Sequence, residues 1–182
     1  MAGKTDSVSS DPDAMTSSTF GAEAVALTQA RLGGLDPLSA QAGVLLSRVA
    51  ISHVHVSEQS VHRSGIGSWS SFRVLWMVWL FGEVQARDLA RLSGISRQAT
   101  STVLSTLESK GFVVRNRTST TDRRLIAVTV TDEGARLVEE SFLAQNRVDA
   151  AFFDVLSAQE RRQFVGLLTR ILHAADDAAR DG

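Results

Sequence analysis

Apolar residues recur three and four positions apart over most of this chain, the spacing that lines one side of an α-helix. Pro37 suits a first helical turn with Asp36 as its cap. The helix they open is predicted to run to about Gln59 or a little beyond, with Leu38, Ala42, Leu45, Val49 and Val56 on one side. Ser68 caps a second helix that closes at Gly82. In it Trp69, Phe72, Trp76 and Trp79 form one stripe, but Val74, Leu75, Val78 and Leu80 make it apolar nearly all round, which predicts burial. Leu89, Ala90 and Leu92 give a short third helix its inner face, and Gly94 stops it by taking the left-handed conformation. Ser96 then caps a new helix. Ala99, Val103 and Leu107 are predicted on its inner side, four apart, with Arg97, Gln98, Ser101 and Ser105 outward, and Gly111 ends it.

Beyond Gly111 the rhythm changes. Phe112–Arg117 and Leu125–Thr131 are rich in β-branched residues and flank the polar stretch Thr118–Asp122, which is a hairpin signal. Thr131 caps a long helix predicted to reach about Leu156. Ser157-Ala158-Gln159-Glu160 is a capping box for the last helix, in which Phe164, Leu168, Ile171 and Leu172 recur at helical spacing. At the other end, residues 1–19 are Ser/Thr/Asp-rich and predicted to be disordered. Phe20–Arg31 fits a short extra helix closed by Gly33-Gly34.

Two short helices in tandem followed by a hairpin with a basic tip can address a DNA duplex. One helix fits the major groove and the hairpin adds a finger beside it. The fold class expected is therefore mostly α with a small β-hairpin wing: a winged helix-turn-helix DNA-binding domain over residues 68–131. A tail (1–19), an extra helix (20–35) and a dimerisation helix with its linker (36–67) precede it, and C-terminal dimerisation helices (132–182) follow. The flanking helices carry more apolar face than a small winged domain can cover, which argues for a homodimer.

Particular residues narrow this further. The pattern Leu89-Ala90, Ser93-Gly94-Ile95-Ser96-Arg97, Leu104, Leu107-Glu108, Lys110-Gly111-Phe112-Val113, Arg115, Asp122-Arg123-Arg124, Val128, Thr131 and Gly134 closely resembles the MarR family of winged helix-turn-helix regulators. The resemblance implies a homodimer, with interlocking first and last helices, that binds an inverted-repeat operator as a repressor and releases it when a small molecule binds. It also implies that Arg123 enters the minor groove, while Arg124, its neighbour on the opposite side of the hairpin, is held internally. In that family the effector pocket lies between the winged domain and the dimerisation helices, where the Trp-rich helix falls.

Charge supports a reading face. Residues 85–131 hold eight basic side chains (Arg87, Arg91, Arg97, Lys110, Arg115, Arg117, Arg123, Arg124) against Asp88, Glu108 and Asp122, a local net of +5 in a chain whose total is −1. The remainder is then −6, a basic face on an acidic body. The candidate DNA contacts are Ser96, Arg97, Gln98, Thr100, Ser101, Ser105, Arg115, Arg117, Arg123 and Arg124. Arg97 suits guanine and Gln98 adenine by matching donors and acceptors.

The candidate effector site draws on Trp69 and Trp76 as flat walls and on Arg73 and His53 as polar anchors, which suits a small aromatic acid or another planar apolar molecule. The alternatives are a DNA-binding protein without an effector, architectural or constitutive, whose Trp stripe is plain core, and a metal-responsive regulator. His53 and His55, two apart on one helix, point about 200° from each other and do not chelate one ion. No metal site or cofactor is assigned. The absence of cysteine removes disulfides, a zinc ribbon and a thiol switch. With no Gly-x-Ser-x-Gly elbow, no H-E-x-x-H pair and no phosphate-cradling loop, nothing points to an enzyme. The longest apolar run, Val74–Phe81, has eight residues, too few to span a membrane, and the N-terminus has no apolar signal core, so a cytoplasmic protein is expected.

Overall fold

The computed structural model describes Thr16, residues 19–117 and residues 126–181. Its elements are α1 (Phe20–Leu32), α2 (Pro37–Ser57), a π-helical turn (Glu58–His62), α3 (Trp69–Phe81), β1 (Glu83–Gln85), α4 (Ala86–Ser93), α5 (Arg97–Ser109), β2 (Val113–Arg117), β3 (Ile126–Val130), α6 (Asp132–Phe152) and α7 (Ala158–Asp181). They belong to two compact units, Met1–His55 and Val56–Gly182. Except for Thr16 and Thr19, the tail expected to be disordered lies outside the described residues.

In the first unit the extra helix forms as expected and rests on α2. Gly21 comes so close to Leu45 that a Cβ would lie 2.9 Å from its Cδ2, and the Arg48 guanidinium sits 4.4 Å from the centre of the Phe20 ring. Asp36 caps α2 through the amides of Leu38 and Ser39, at 3.1 and 3.3 Å.

The second unit is built around α3. Phe72, Val74, Leu75 and Val78 are buried together with Leu89 of α4, Leu104 and Leu107 of α5, Val113, Val128 and Val138. Each such side chain contributes about 1.5–3 kcal/mol when removed from water, an upper figure because the unfolded chain already hides some of it. The burial expected of α3 holds in its middle but not at its end, where Trp79, Leu80 and Phe81 are exposed. Ser68 accepts a hydrogen bond from the Ser71 amide and Ser96 from the Ala99 amide, the two predicted caps. Gly94 adopts φ 66° and ψ 29°, the left-handed turn between α4 and α5.

Four features depart from the sequence reading. First, a short strand, β1, precedes α4 and joins the hairpin, giving an antiparallel sheet in the order β1-β3-β2 with Val84 opposite Val128 and Val113 opposite Val130. Second, the stretch expected as a linker is packed: His62 and Ile66 are buried, and Ser57 with them. Third, α6 stops at Phe152, short of Leu156, where Phe153 packs edge-on against Phe152 and at a tilt against Phe164 of α7. Fourth, the inner stripe of α5 is rotated. Thr100, Leu104 and Leu107 are its buried residues, while Ala99 and Val103 are only half-buried.

The capping box of α7 forms as read, Ser157 Oγ accepting from the Glu160 amide while a Glu160 oxygen accepts from the Ser157 amide. Leu167, Ile171 and Leu172 stay exposed along that helix, as do Leu38, Leu46, Val49 and Ile51 along α2.

Candidate nucleic-acid interface

Everything about α5 presents its N-terminal half outward. Leu104 and Leu107 anchor it to α3 and the sheet, and the left-handed Gly94 sets the angle at which it leaves α4. Ser96, Arg97, Gln98 and Ser101 are exposed, as are Thr102, Ser105, Thr106 and Ser109 further along. Most of these hydroxyls bond back to their own helix: Thr102 donates to the Gln98 carbonyl, Ser105 to Ser101 and Thr106 to Thr102. Such hydroxyls keep lone pairs for a partner but offer it no proton. Arg97 and Gln98 are the long donors at the exposed start of the helix, where base edges would be met.

Thr100 corrects the sequence reading. It is 2% exposed, and its Oγ1 donates to the Ser96 carbonyl at 2.9 Å, so it cannot reach DNA. Placing Ala99 on the buried stripe put Thr100 on the outside; the observed stripe runs one residue later. Arg115 faces α5, with Nη2 donating to Ser105 Oγ at 2.9 Å and Nε 3.0 Å from Glu108 Oε2. Arg117 ends β2. Arg123 and Arg124 lie outside the described residues.

Within the second unit, Trp69, Arg73 and Trp76 do not share one site. Trp76 stacks on Phe72 and meets Phe142 of α6 at 5.2 Å, lining a groove of about 350 Å³ with Trp79, Val138, Glu139, Phe142 and Leu143. Trp69 is not among those lining residues: it packs on His62 and Phe72. Arg73 points elsewhere, its Nη2 lying 2.8 Å from where a Cβ on Gly94 would be, and burial lowers its pKa. His53 belongs to the first compact unit and the groove to the second. Trp79 adds its indole N–H, donated to Glu139 at 3.1 Å.

Sequence reasoning passed over a buried polar cluster. His62 Nε2 lies 3.0 Å from Gln145 Oε1, while Gln145 Nε2 donates to Ser57 Oγ at 2.9 Å and to Asp149 Oδ1 at 2.6 Å. Asp149 only accepts, which fixes the amide's orientation and therefore places the His62 proton on Nε2. Nδ1 is buried with no hydrogen-bond partner, and the ring stacks on Phe72 at 4.4 Å. Burial holds its pKa below the ordinary value, against the pull of Gln145, Glu58 and Asp149. The signal was present in Val138, Ser141 and Gln145, which share the buried side of α6. A polar residue on a buried stripe demands a partner.

A model of the MarR family matches residues 68–126, from the cap of α3 to the start of β3. Over those residues the chain is similar to the MarR family. The HTH-type transcriptional regulator YwaE of Bacillus subtilis is 35% identical over 104 residues, which are 57% of this chain and 60% of YwaE. The chain thus matches less than two thirds of that relative's length. Among solved structures, BpsR of Bordetella bronchiseptica, described for the regulation of its DNA binding by 6-hydroxynicotinic acid, superposes with TM-score 0.68 at 27% identity over 72% of this chain and 98% of that one. A mutant MarR from E. coli, solved with operator DNA, shares the fold at TM-score 0.65 and 22% identity, over 71% of this chain and 92% of its own. The MarR-type fold thus reaches well beyond the residues that match the family model. No described helix is long and apolar enough to cross a membrane.

Proposed function

We propose that this MarR-family chain is a cytoplasmic, homodimeric transcriptional regulator that represses from a pseudo-palindromic operator and is released by a small planar molecule. The observation that carries the DNA-binding part is the exposed N-terminal half of α5, capped by Ser96, with Arg97 and Gln98 exposed at its start. Direct readout by this helix, with minor-groove contact by the wing, is the mechanism. Exposed leucines and isoleucines along α2 and α7 supply apolar surface for a second copy. The groove beside Trp76 supplies a flat, mostly apolar slot, and the regulation of BpsR by 6-hydroxynicotinic acid supports an aromatic effector.

A random-sequence duplex pool, enriched on the purified protein, tests the first part. Enrichment of an inverted repeat with half-sites about one helical turn (~34–36 Å) apart supports it, and a pool that stays random overturns it. Titrating a panel of aromatic acids and neutral planar compounds while following Trp fluorescence and affinity for the enriched duplex tests the second. A ligand that lowers DNA affinity must bind the DNA-bound protein less tightly by the same factor. If no compound alters either signal, an effector-independent DNA-binding protein is the better description.

A further inference from the structure

Arg115 looks by composition like one more cation for the phosphate backbone, but its surroundings give it another task. Resting on the DNA-binding reading above, we propose that Arg115 is a positioning residue that locks the wing to the reading helix, so that both meet DNA as one body. It shares a face of β2 with Val113, two residues away, and Val113 is buried in the core. From that face its guanidinium reaches two residues of α5, Ser105 and Glu108. The Ser105 and Glu108 positions are three apart on the helix and thus neighbours on its surface.

The pair is not an ordinary surface ion pair. The Arg115 side chain is only 21% exposed against 44% for Glu108, and its Nε is fully covered. Although Nε lies 3.0 Å from Glu108 Oε2, it is not aligned for a straight hydrogen bond, so the contact there is ionic. Directionality comes from Nη2, which donates to Ser105 Oγ. That hydroxyl donates in turn to the Ser101 carbonyl at 3.0 Å. Ser105 is therefore engaged both as donor and as acceptor, and serves as an anchor point rather than a base reader.

Leu104 and Leu107 join α5 to the core on its apolar side, and Arg115 adds a polar tie from the strand. The sheet transmits it: Arg115 stands opposite Val128 on β3, and Val128 stands opposite Val84 on β1. The tie thus constrains the angle between β2 and α5.

Glu108→Gln separates this assignment from a phosphate-contact role for Arg115, because the two predict opposite signs. If Arg115 serves as a free phosphate-binding cation, removing a carboxylate near the DNA strengthens binding. If it is a tie, the same change loosens the wing and weakens binding. We expect Arg115→Gln and Glu108→Gln each to lower affinity for the enriched duplex by about tenfold, and the double variant to be little worse than either. Affinity for a scrambled duplex and the slope of log K against log salt should stay near wild type, and β2 amides should exchange hydrogen faster in both variants. A salt slope reduced by about one per subunit, with equal loss on both duplexes, makes Arg115 a phosphate contact and overturns the proposal. So do tighter binding by Glu108→Gln and wild-type behaviour of both variants. If Arg115→Gln unfolds, Glu108→Gln alone decides. If the wild-type protein enriches no sequence, the regulator reading fails, and exchange at β2 still tests the tie.

Discussion

Gly134, in the first turn of α6, lies so close to Phe112 that a Cβ would sit 2.1 Å from the Phe112 carbonyl oxygen. Thr131 completes the joint: its amide donates to the same carbonyl at 3.1 Å, and its hydroxyl donates to the Gly111 carbonyl at 2.7 Å and accepts from the Gly134 amide at 3.0 Å. The long helix is thereby fastened to the end of α5. Gly134→Ala must push backbone from backbone and should cost about 2–3 kcal/mol, at the upper end of ordinary overpacking. Thermal unfolding measures it, and a variant as stable as wild type would show that the joint yields easily.

Thr100 and Gln98 are two residues apart on α5 and should respond in opposite ways. Thr100→Ala loses a buried methyl group and a hydroxyl bond to Ser96, so stability should fall by about 1–2 kcal/mol while base preference stays unchanged. Gln98→Ala should leave unfolding alone and relax preference at one position per half-site, by roughly 1–3 kcal/mol. Affinities for duplexes altered one base pair at a time separate the two. Equal losses on every sequence would make Gln98 a backbone contact.

His62 makes the protein acid-sensitive over a definite range. Its pKa is lowered from 6.5, so the unfolded chain takes up a proton near neutrality that the folded protein refuses until the pH is lower. The stability tied to neutral His62 is complete above about 6.5 and declines as pH falls, levelling off below the folded pKa. Asp36 and Glu160, whose pKa values are lowered from 3.8 and 4.5 by the caps they form, lose their contribution only in stronger acid. In denaturant titrations, His62→Phe should flatten the profile just below about pH 6.5 and leave the more acid limb in place. An unchanged profile would assign that limb to other groups.

Removing α7 should break the proposed homodimer rather than unfold the winged domain. Leu167, Ile171 and Leu172 are exposed on that helix, and every buried residue of the core cluster precedes it. A chain ending at Leu156 should sediment as a monomer or aggregate and bind the enriched duplex with little specificity. A stable full-length monomer at micromolar concentration would rule out the homodimer.

Local features could be read from the chain alone. Caps, the left-handed Gly94, the apolar middle of α3 and the β-branched runs are settled by each residue's own backbone preference and by spacing within one element. They were legible at Ser68, Ser96, Thr131 and Ser157 because a cap answers to a neighbour three residues away. Packing between elements set the rest. β1 is three residues long, too short for an alternation, and exists because β3 offers it an edge. Which side of α5 is buried turned on one residue of rotation, since Ala99 and Thr100 are both small enough to pack and only the facing surface of α3 and the sheet chooses between them. Gln145 and His62, 83 residues apart, find each other only once α6 lies along the π-helical turn. The same holds for Arg115, whose charge was plain in the sequence while its role depends on the helix it faces. Contacts between distant elements answer to the shape of the whole core, and no spacing along the chain encodes them.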